Sequence, residues 1–263
     1  MAIGDVETMN LLAFDTGTEV MSVAVARTEQ GQVRLWQHNA TGGAKASTDL
    51  IPAVLDLLLQ AGLRLDQLDA ICFGCGPGSF TGLRTACSVA QGLAFGANVP
   101  VLPVDSLLAL AEEARFTALN GQSTAVVTAL LDARMDELYA ATYAWNVDGQ
   151  WTEQQASALV RPENLTRPHA ANGKDNAPWL MAGNVFTVYG ERVAAGDAAA
   201  STAMHFPALP TAMAMLRLAP QLMAAGKTVA AKDALPSYIR DKVAKTTAER
   251  MAEKVASLVA TGI

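Results

Sequence analysis

The sequence predicts an α/β fold in two lobes, on three observations. Strand-like apolar runs alternate with helical segments along the chain. A hairpin near the start, built around Asp15, is echoed by a second one built around Asp132. Between the two stands a glycine-rich loop, Gly76 to Arg84, at a strand-to-helix junction. At 263 residues the chain exceeds the roughly 100 to 150 residues commonest for single domains, and the echo places the division at 1–112 and 113–263.

Each element follows from local pattern. Leu11 to Ala26 is an apolar run, a polar turn at Asp15-Thr16-Gly17-Thr18, and a resumed alternation through Met21, Val23 and Val25, which reads as a β-hairpin. Ser47 to Ala61 reads as a helix, entered through Ser47, Thr48 and Asp49 and stopped by Gly62. Projected at about 100° per residue, its polar strip is narrow (Asp49, Pro52, Asp56, Gln60), while Leu50, Ile51, Val54, Leu55, Leu57, Leu58 and Leu59 cover most of the circumference. Either this helix is buried on several sides within its own lobe, or one apolar flank meets another subunit.

Asp69 to Cys75 is a short apolar strand leading into the glycine loop. The next helix, Leu83 to Ala97, has one face of Leu83, Ala86, Val89, Ala90, Leu93 and Ala97 and a flank of small residues, Thr85, Ser88, Gly92 and Gly96. Small flanks allow close helix contact, either on the sheet or across a dimer. Val99 to Val104 is a buried strand, and Asp105-Ser106 caps a helix from Leu107 to Leu119.

In the second half, Val126 to Leu131, the turn Asp132-Ala133-Arg134-Met135 and Leu138 to Tyr143 repeat the first hairpin, and Trp179 to Asn184 is a reduced strand-to-loop junction. Gly190 to Ala203, rich in alanine, reads as a loop or frayed helix, and Thr211 to Ala225 as a helix. Pro236 to Asp241 is a short extended segment, before an amphipathic terminal helix at about 246–260 that packs back on the first lobe.

Composition excludes several classes. Half the residues are apolar, 17% are charged and the formal net charge is -6. Cations are scattered except in 240–250, so the chain is no free-standing nucleic-acid binder, and any RNA contact is shared. Asp5 and Glu7 near the start leave no signal-peptide pattern, which predicts a cytoplasmic protein. The uncharged run from Thr85 to Val104 is interrupted by Gln91, Asn98, Pro100 and Pro103, against a membrane span. Cys72, Cys75 and Cys87 suit a reducing compartment, and the C-x-x-C pair ends a strand, which points to structural burial. His38, His169 and His205 stand without partners at ligand spacing, so no metal site is expected.

The glycine loop has the form of an anion cradle at a helix N-terminus, and the candidate phosphate group is Asp15, Thr16, Gly17 and Thr18 with Gly76, Gly78 and Ser79. Yet the lysine and following hydroxyl of the G-x-x-x-x-G-K-[ST] loop are absent, and the spacing Gly76-x-Gly78-x-x-x-Gly82 departs from G-x-G-x-x-G. Asp15 either organises Mg²⁺ and phosphate or satisfies backbone donors at the hairpin tip.

Leu12-Ala13-Phe14-Asp15-Thr16-Gly17-Thr18, the motif Gly76-Pro77-Gly78-Ser79-Phe80-Thr81-Gly82-Leu83-Arg84, Gly92-Leu93-Ala94, Pro103 to Leu107, Leu131 to Met135 and Pro236 to Asp241 together resemble the TsaB (YeaZ) family, bacterial factors for threonylcarbamoyladenosine synthesis on tRNA. The resemblance implies an actin-like ATPase (ASKHA) fold, two duplicated lobes each with a mixed sheet flanked by helices. It also implies a partner, the catalytic paralogue TsaD, with the ATPase TsaE as a third component and tRNA bound only through the complex. The paralogue holds its metal with histidines on the helix matching Ser47 to Ala61, where this chain has Leu50, Ile51, Val54 and Leu55. The expectation is therefore a non-catalytic scaffold without a metal of its own. Its interface would comprise Leu50, Ile51, Val54, Leu55 and Leu58 with Thr85, Ser88, Val89 and Gly92, forming a homodimer in isolation. A charge at Leu55 or Leu58 should then part the subunits, and ATP or ADP would belong to a shared interface. Two enzyme readings compete: a small-molecule kinase or ATPase using Asp15, Asp132 and the glycine loop, and a hydrolase acting through Ser79 or Ser88.

Overall fold

The computed structural model describes residues 9–29, 31–166, 178–196 and 204–239. The first sheet contains β1 (Asn10–Asp15), β2 (Val20–Glu29), β3 (Gln32–Thr41), β4 (Ala70–Gly76) and β5 (Val101–Asp105), in the order β3-β2-β1-β4-β5. The second contains β6 (Ala125–Asp132), β7 (Leu138–Trp145), β8 (Trp151–Val160), β9 (Trp179–Gly183) and β10 (Met204–Pro207), in the order β8-β7-β6-β9-β10. The two orders are the same order. In each sheet the central strand pairs antiparallel with its hairpin partner (Phe14 opposite Val23, Leu131 opposite Tyr139) and parallel with the strand on its other side (Phe14 beside Phe73, Leu130 beside Gly183). Asp15 and Asp132 each end the central strand, so the echo in sequence is a duplicated mixed sheet, the doubled-lobe arrangement of the actin-like ATPase fold.

Helices cover both faces of both sheets. Helices α1 (Ala46–Ala61) and α2 (Phe80–Ala97) bury Leu12, Phe14, Val23, Val25, Ile71 and Phe73 beneath them. On the opposite face, Ala13, Ala24, Cys72 and Val104 pack against Met215 and Leu218 of α5 (Ala212–Ala224). Burial alone pushes the Cys72 thiol up to about 12, an inert group in the core. In the second lobe, α3 (Ser106–Ala118) sets Leu107, Leu110 and Ala111 on Val127, Ala129 and Tyr143, while α4 (Phe186–Gly196) closes the other face with Val193.

Helix α3 spans the expected boundary at residue 112 and contributes to both cores, with Ala109 in the first and Leu107 in the second. A buried ion cluster fixes this crossing. Glu112, 2% exposed, accepts from Arg115 Nε (2.9 Å), Arg217 Nε (2.8 Å) and Trp151 Nε1 (3.1 Å), and Glu113 accepts from Arg217 and the Thr211 hydroxyl. One carboxylate thus binds α3, α5 and β8 together, each charge compensated by several donors.

Several boundaries differ from expectation. Helix α1 starts at Ala46 with no side-chain cap, since Ser47 and Thr48 donate to the carbonyls of Ala44 and Lys45. It stops where Gly62 takes φ of 64°. Helix α2 begins at Phe80, because the Ser79 hydroxyl accepts from Gly82 N (3.1 Å) and caps it. Strands β3, β8 and β10 had no expectation attached, and residues 190–196 are helical as part of α4. The remainder of the alanine-rich stretch, 197–203, and the terminal helix at 246–260 lie outside the described residues, as do His169, Arg240 and Asp241.

Candidate functional site

The two hairpin tips face each other across a cavity of about 590 Å³ between the lobes. Gly17 to Glu19 and Pro77 to Phe80 form the first-lobe wall, Leu131 to Met135 and Asn184 the second, and Ser237 to Ile239 close one side. Of the candidate phosphate residues, Gly17, Thr18, Gly78 and Ser79 line this space; Asp15, Thr16 and Gly76 do not.

Asp15 and Thr16 are fully buried and turned into the protein. The Asp15 carboxylate accepts from Gly17 N (2.7 Å) and from the Ser106 hydroxyl (3.0 Å), while burial raises its pKa to about 6 against those two bonds. Thr16 Oγ1 donates to the Gly82 carbonyl (2.7 Å), and Ser79 N donates to the Gly17 carbonyl (2.7 Å). The glycine loop is therefore shut against the first hairpin tip. Gly82 marks the contact, because a Cβ there would run into the Thr16 carbonyl oxygen. The amides of Gly17 and Ser79 are thus bonded internally and Asp15 is held under the loop, which leaves Gly17, Thr18, Gly78 and Ser79 of the candidate group on the cavity wall. Asp15 here satisfies one backbone and one hydroxyl donor.

Asp132 is held differently. Its carboxylate accepts from Arg134 N (2.8 Å) and the Arg134 guanidinium (3.0 Å), and its own N–H donates to Asn184 Oδ1 (3.0 Å). Asn184 Nδ2 in turn donates to Glu19 at 3.1 and 3.2 Å, a polar bridge from one tip to the other. The sequence placed Asn184 only at the end of a reduced strand-to-loop junction and gave Glu19 no role, since a lone Glu and Asn carry no spacing signal. Arg134, Met135 and Asp136 have φ of 62, 54 and 60°, three successive left-handed residues without a glycine. Such a turn needs external support. Asp132 supplies it on one side, and the Arg192 guanidinium, 2.8 Å from the Asp136 carboxylate, on the other.

Ser79 Oγ serves as the α2 cap and Ser88 sits exposed on that helix; neither is bonded to a histidine among the described residues. His38 lies on β3, and His205 stacks on Phe186 at 4.7 Å between centroids. No group of three or more His, Cys, Asp or Glu among the described residues could hold a metal ion.

The expected interface residues divide in two. Leu50, Val54 and Leu58 belong to the core under α1, at most 3% exposed, which corrects their assignment to an outer contact: the chain covers them itself. Ile51 (44% exposed), Leu55 (51%) and Leu59 (79%) form an outward stripe at i, i+4, i+8. On the neighbouring helix, α2, Ser88 and Gly92 lie in the open, Thr85 and Val89 are half-buried, and Phe95, which sequence reading overlooked, is 82% exposed. A phenyl ring and three aliphatic side chains on two adjacent helices are an unusual load for a surface.

No helix among the described residues is long and apolar enough to cross a membrane. Residues 37–255 match the sequence family described as TsaD, tRNA N6-adenosine threonylcarbamoyltransferase. The tRNA threonylcarbamoyladenosine biosynthesis protein TsaB of Escherichia coli is 34% identical over 236 residues, covering 90% of this chain and 96% of the relative. The TsaB protein of Haemophilus influenzae is 32% identical with the same coverage. Among solved structures, YeaZ from Pseudomonas aeruginosa superposes with a TM-score of 0.71 at 37% identity, covering 88% of this chain and 99% of that one. An agreement this long in both sequence and fold makes the chain a member of the TsaB (YeaZ) family, which works in the biosynthesis of threonylcarbamoyladenosine on tRNA.

Proposed function

We propose that the chain is a non-catalytic subunit of the threonylcarbamoyl transfer machinery, an activator that docks on the catalytic paralogue TsaD through the outer flank of α1 and α2. The observation that carries this reading is the stripe Ile51, Leu55, Leu59 on α1, with Phe95 and the small residues Ser88 and Gly92 exposed on α2. Burying each aliphatic or aromatic side chain against a partner is worth about 1.5–3 kcal/mol, and the small flank lets a second helix pair approach closely. The partner is a homologous chain of the same fold, so the same flank serves a homodimer when the paralogue is absent. In this reading TsaE joins through the assembled pair, tRNA is held by the complex, and ATP or ADP sits where subunits meet, outside the closed glycine loop.

Reconstitution tests it. Purified paralogue, tRNA and the threonylcarbamoyl donor should give modified tRNA with this chain present, and little without it. The chain alone should give none, whereas modification by the chain alone would overturn the proposal and favour an enzyme. Calorimetry with ATP and Mg²⁺ separates off the kinase or ATPase alternative, which requires micromolar-range binding to the isolated chain.

A further inference from the structure

Between α5 and residue 239 the chain has little regular structure beyond one turn at Ala231–Asp233, yet each part is placed by a specific contact. Val229 exchanges two backbone hydrogen bonds with Val101 at the edge of the first sheet (2.8 and 2.9 Å). The Ala234 carbonyl accepts from Gln91 Nε2 (2.8 Å) and Cys87 Sγ (3.4 Å). Ser237 N donates to the Cys75 carbonyl (2.7 Å), at the end of the strand that feeds the glycine loop. The Tyr238 hydroxyl accepts from Arg84 Nε (3.1 Å), and its ring lies 5.4 Å from that of Phe80, whose centroid is 3.7 Å from the Arg84 guanidinium carbon. Ile239 then packs on the core of the second lobe.

Phe80, Arg84, Cys87 and Gln91 follow one another at 4, 3 and 4 residues, a single stripe along α2, and the segment runs over that stripe from one end to the other. Gly76 accommodates it: its φ is +122°, and a Cβ there would stand 2.5 Å from the Ser237 carbonyl oxygen. The loop that resembles a phosphate cradle is thus, on this side, a seat for the chain's own backbone. Ser237, Tyr238 and Ile239 also form one wall of the inter-lobe cavity.

We propose that residues 229–239 are a clasp that ties α2 of the first lobe to the second lobe, and that unseating Tyr238 from Phe80 and Arg84 is the step that opens the cavity. The anchoring is asymmetric. Ala234 is fully buried, whereas Tyr238, over the cavity, is 44% exposed, so the end that lies over the cavity is the more solvated of the two and opens first. Motion at Tyr238 reaches the opposite wall through Ile239, which shares the second-lobe core with Leu131 and Ala133 at the base of the left-handed turn.

Hydrogen exchange on the full chain tests this. In Tyr238→Ala, the Ser237 amide should exchange about tenfold faster, the factor expected for loss of one aromatic contact. The Ala133 amide, bonded to the Glu137 carbonyl on the facing wall, should accelerate with it. Tyr238→Phe, which keeps the ring and loses only the hydroxyl, should stay within about threefold of the parent. Gly76→Ala should reproduce the Tyr238→Ala pattern where it folds, and Tyr238→Ala, altering a half-exposed side chain, decides the matter where it does not. An unchanged Ser237 amide in Tyr238→Ala overturns the clasp. Acceleration of Ser237 with an unchanged Ala133 amide overturns its coupling to the second lobe.

Discussion

Replacing Asp15 with asparagine should stabilise the protein, and only above the acidic range. The carboxyl is fully buried, and its pKa of about 6 against an ordinary 3.8 means that the folded state holds its proton more tightly than the unfolded chain. The resulting stability is therefore fully present below pH 3.8 and is lost as pH rises through about 6. At 1.36 kcal/mol per pH unit, a gap of roughly 2 units makes the ionised native state about 3 kcal/mol less stable at pH 7.5 than it would be with that group neutral. Asparagine has the same shape, its Oδ1 can still accept from Gly17 N, and the Ser106 hydroxyl can turn to accept from its amide. For a chain of this size, about 2–4 °C per kcal/mol gives Asp15→Asn a melting point about 6–12 °C above the parent at pH 7.5, shrinking to under about 2 °C at pH 4. Calorimetry of both proteins at pH 4, 6 and 7.5 reads this directly. Asp105, also raised by burial, titrates in both proteins and cancels. A variant no more stable than the parent at pH 7.5, or a gain equal at all three pH values, would refute the argument that burial dominates at Asp15.

Other consequences are as open to measurement. Leu58→Ala should lower stability by about 2–5 kcal/mol by opening a core cavity, while Leu55→Ala, at a half-exposed position one turn away, should cost under about 1 kcal/mol; urea melts distinguish them. Gly82→Ala forces a methyl against the Thr16 carbonyl and strains the Thr16 to Gly82 hydrogen bond, so a loss of about 2–4 kcal/mol is expected from the denaturation midpoint at unchanged slope. Glu112→Ala leaves the Arg115 and Arg217 guanidinia short of their shared carboxylate and should cost about 3–5 kcal/mol, seen as a melting point lower by about 10 °C.

Much of this architecture was legible in the residues because its signals are local. The apolar run into Asp15 and its repeat at Asp132 marked two equivalent hairpins, and Gly62 and Asp105 marked helix ends, whereas the cap at Ser79 was hidden inside the glycine loop. Strands β3 and β8 left little trace because they are edge strands with mostly exposed side chains, so no buried face imposes a period of two. The glycine loop announced a close approach without saying to what. Its partners are the tip at Thr16 and Gly17 and the backbone at Ser237, about 60 residues before it and 160 after, a pairing that only the fold brings about. Helix α1 was the hardest to apportion. Apolar residues on most of its circumference cannot reveal which stripe faces the sheet, and only the position of β2 and β3 beneath it separates Leu50, Val54 and Leu58 from Ile51, Leu55 and Leu59.

The flank of α1 and α2 as a docking face for a second actin-like chain is the claim on which the functional account rests. Sedimentation of the chain with its catalytic paralogue, in parent form and as Leu55→Glu and Phe95→Glu, addresses it most directly. The account predicts a complex for the parent and at least about 30-fold weaker association for each variant, the effect of charging the centre of a desolvated contact, with each melting point within a few degrees of the parent. Undiminished association of both folded variants would contradict it.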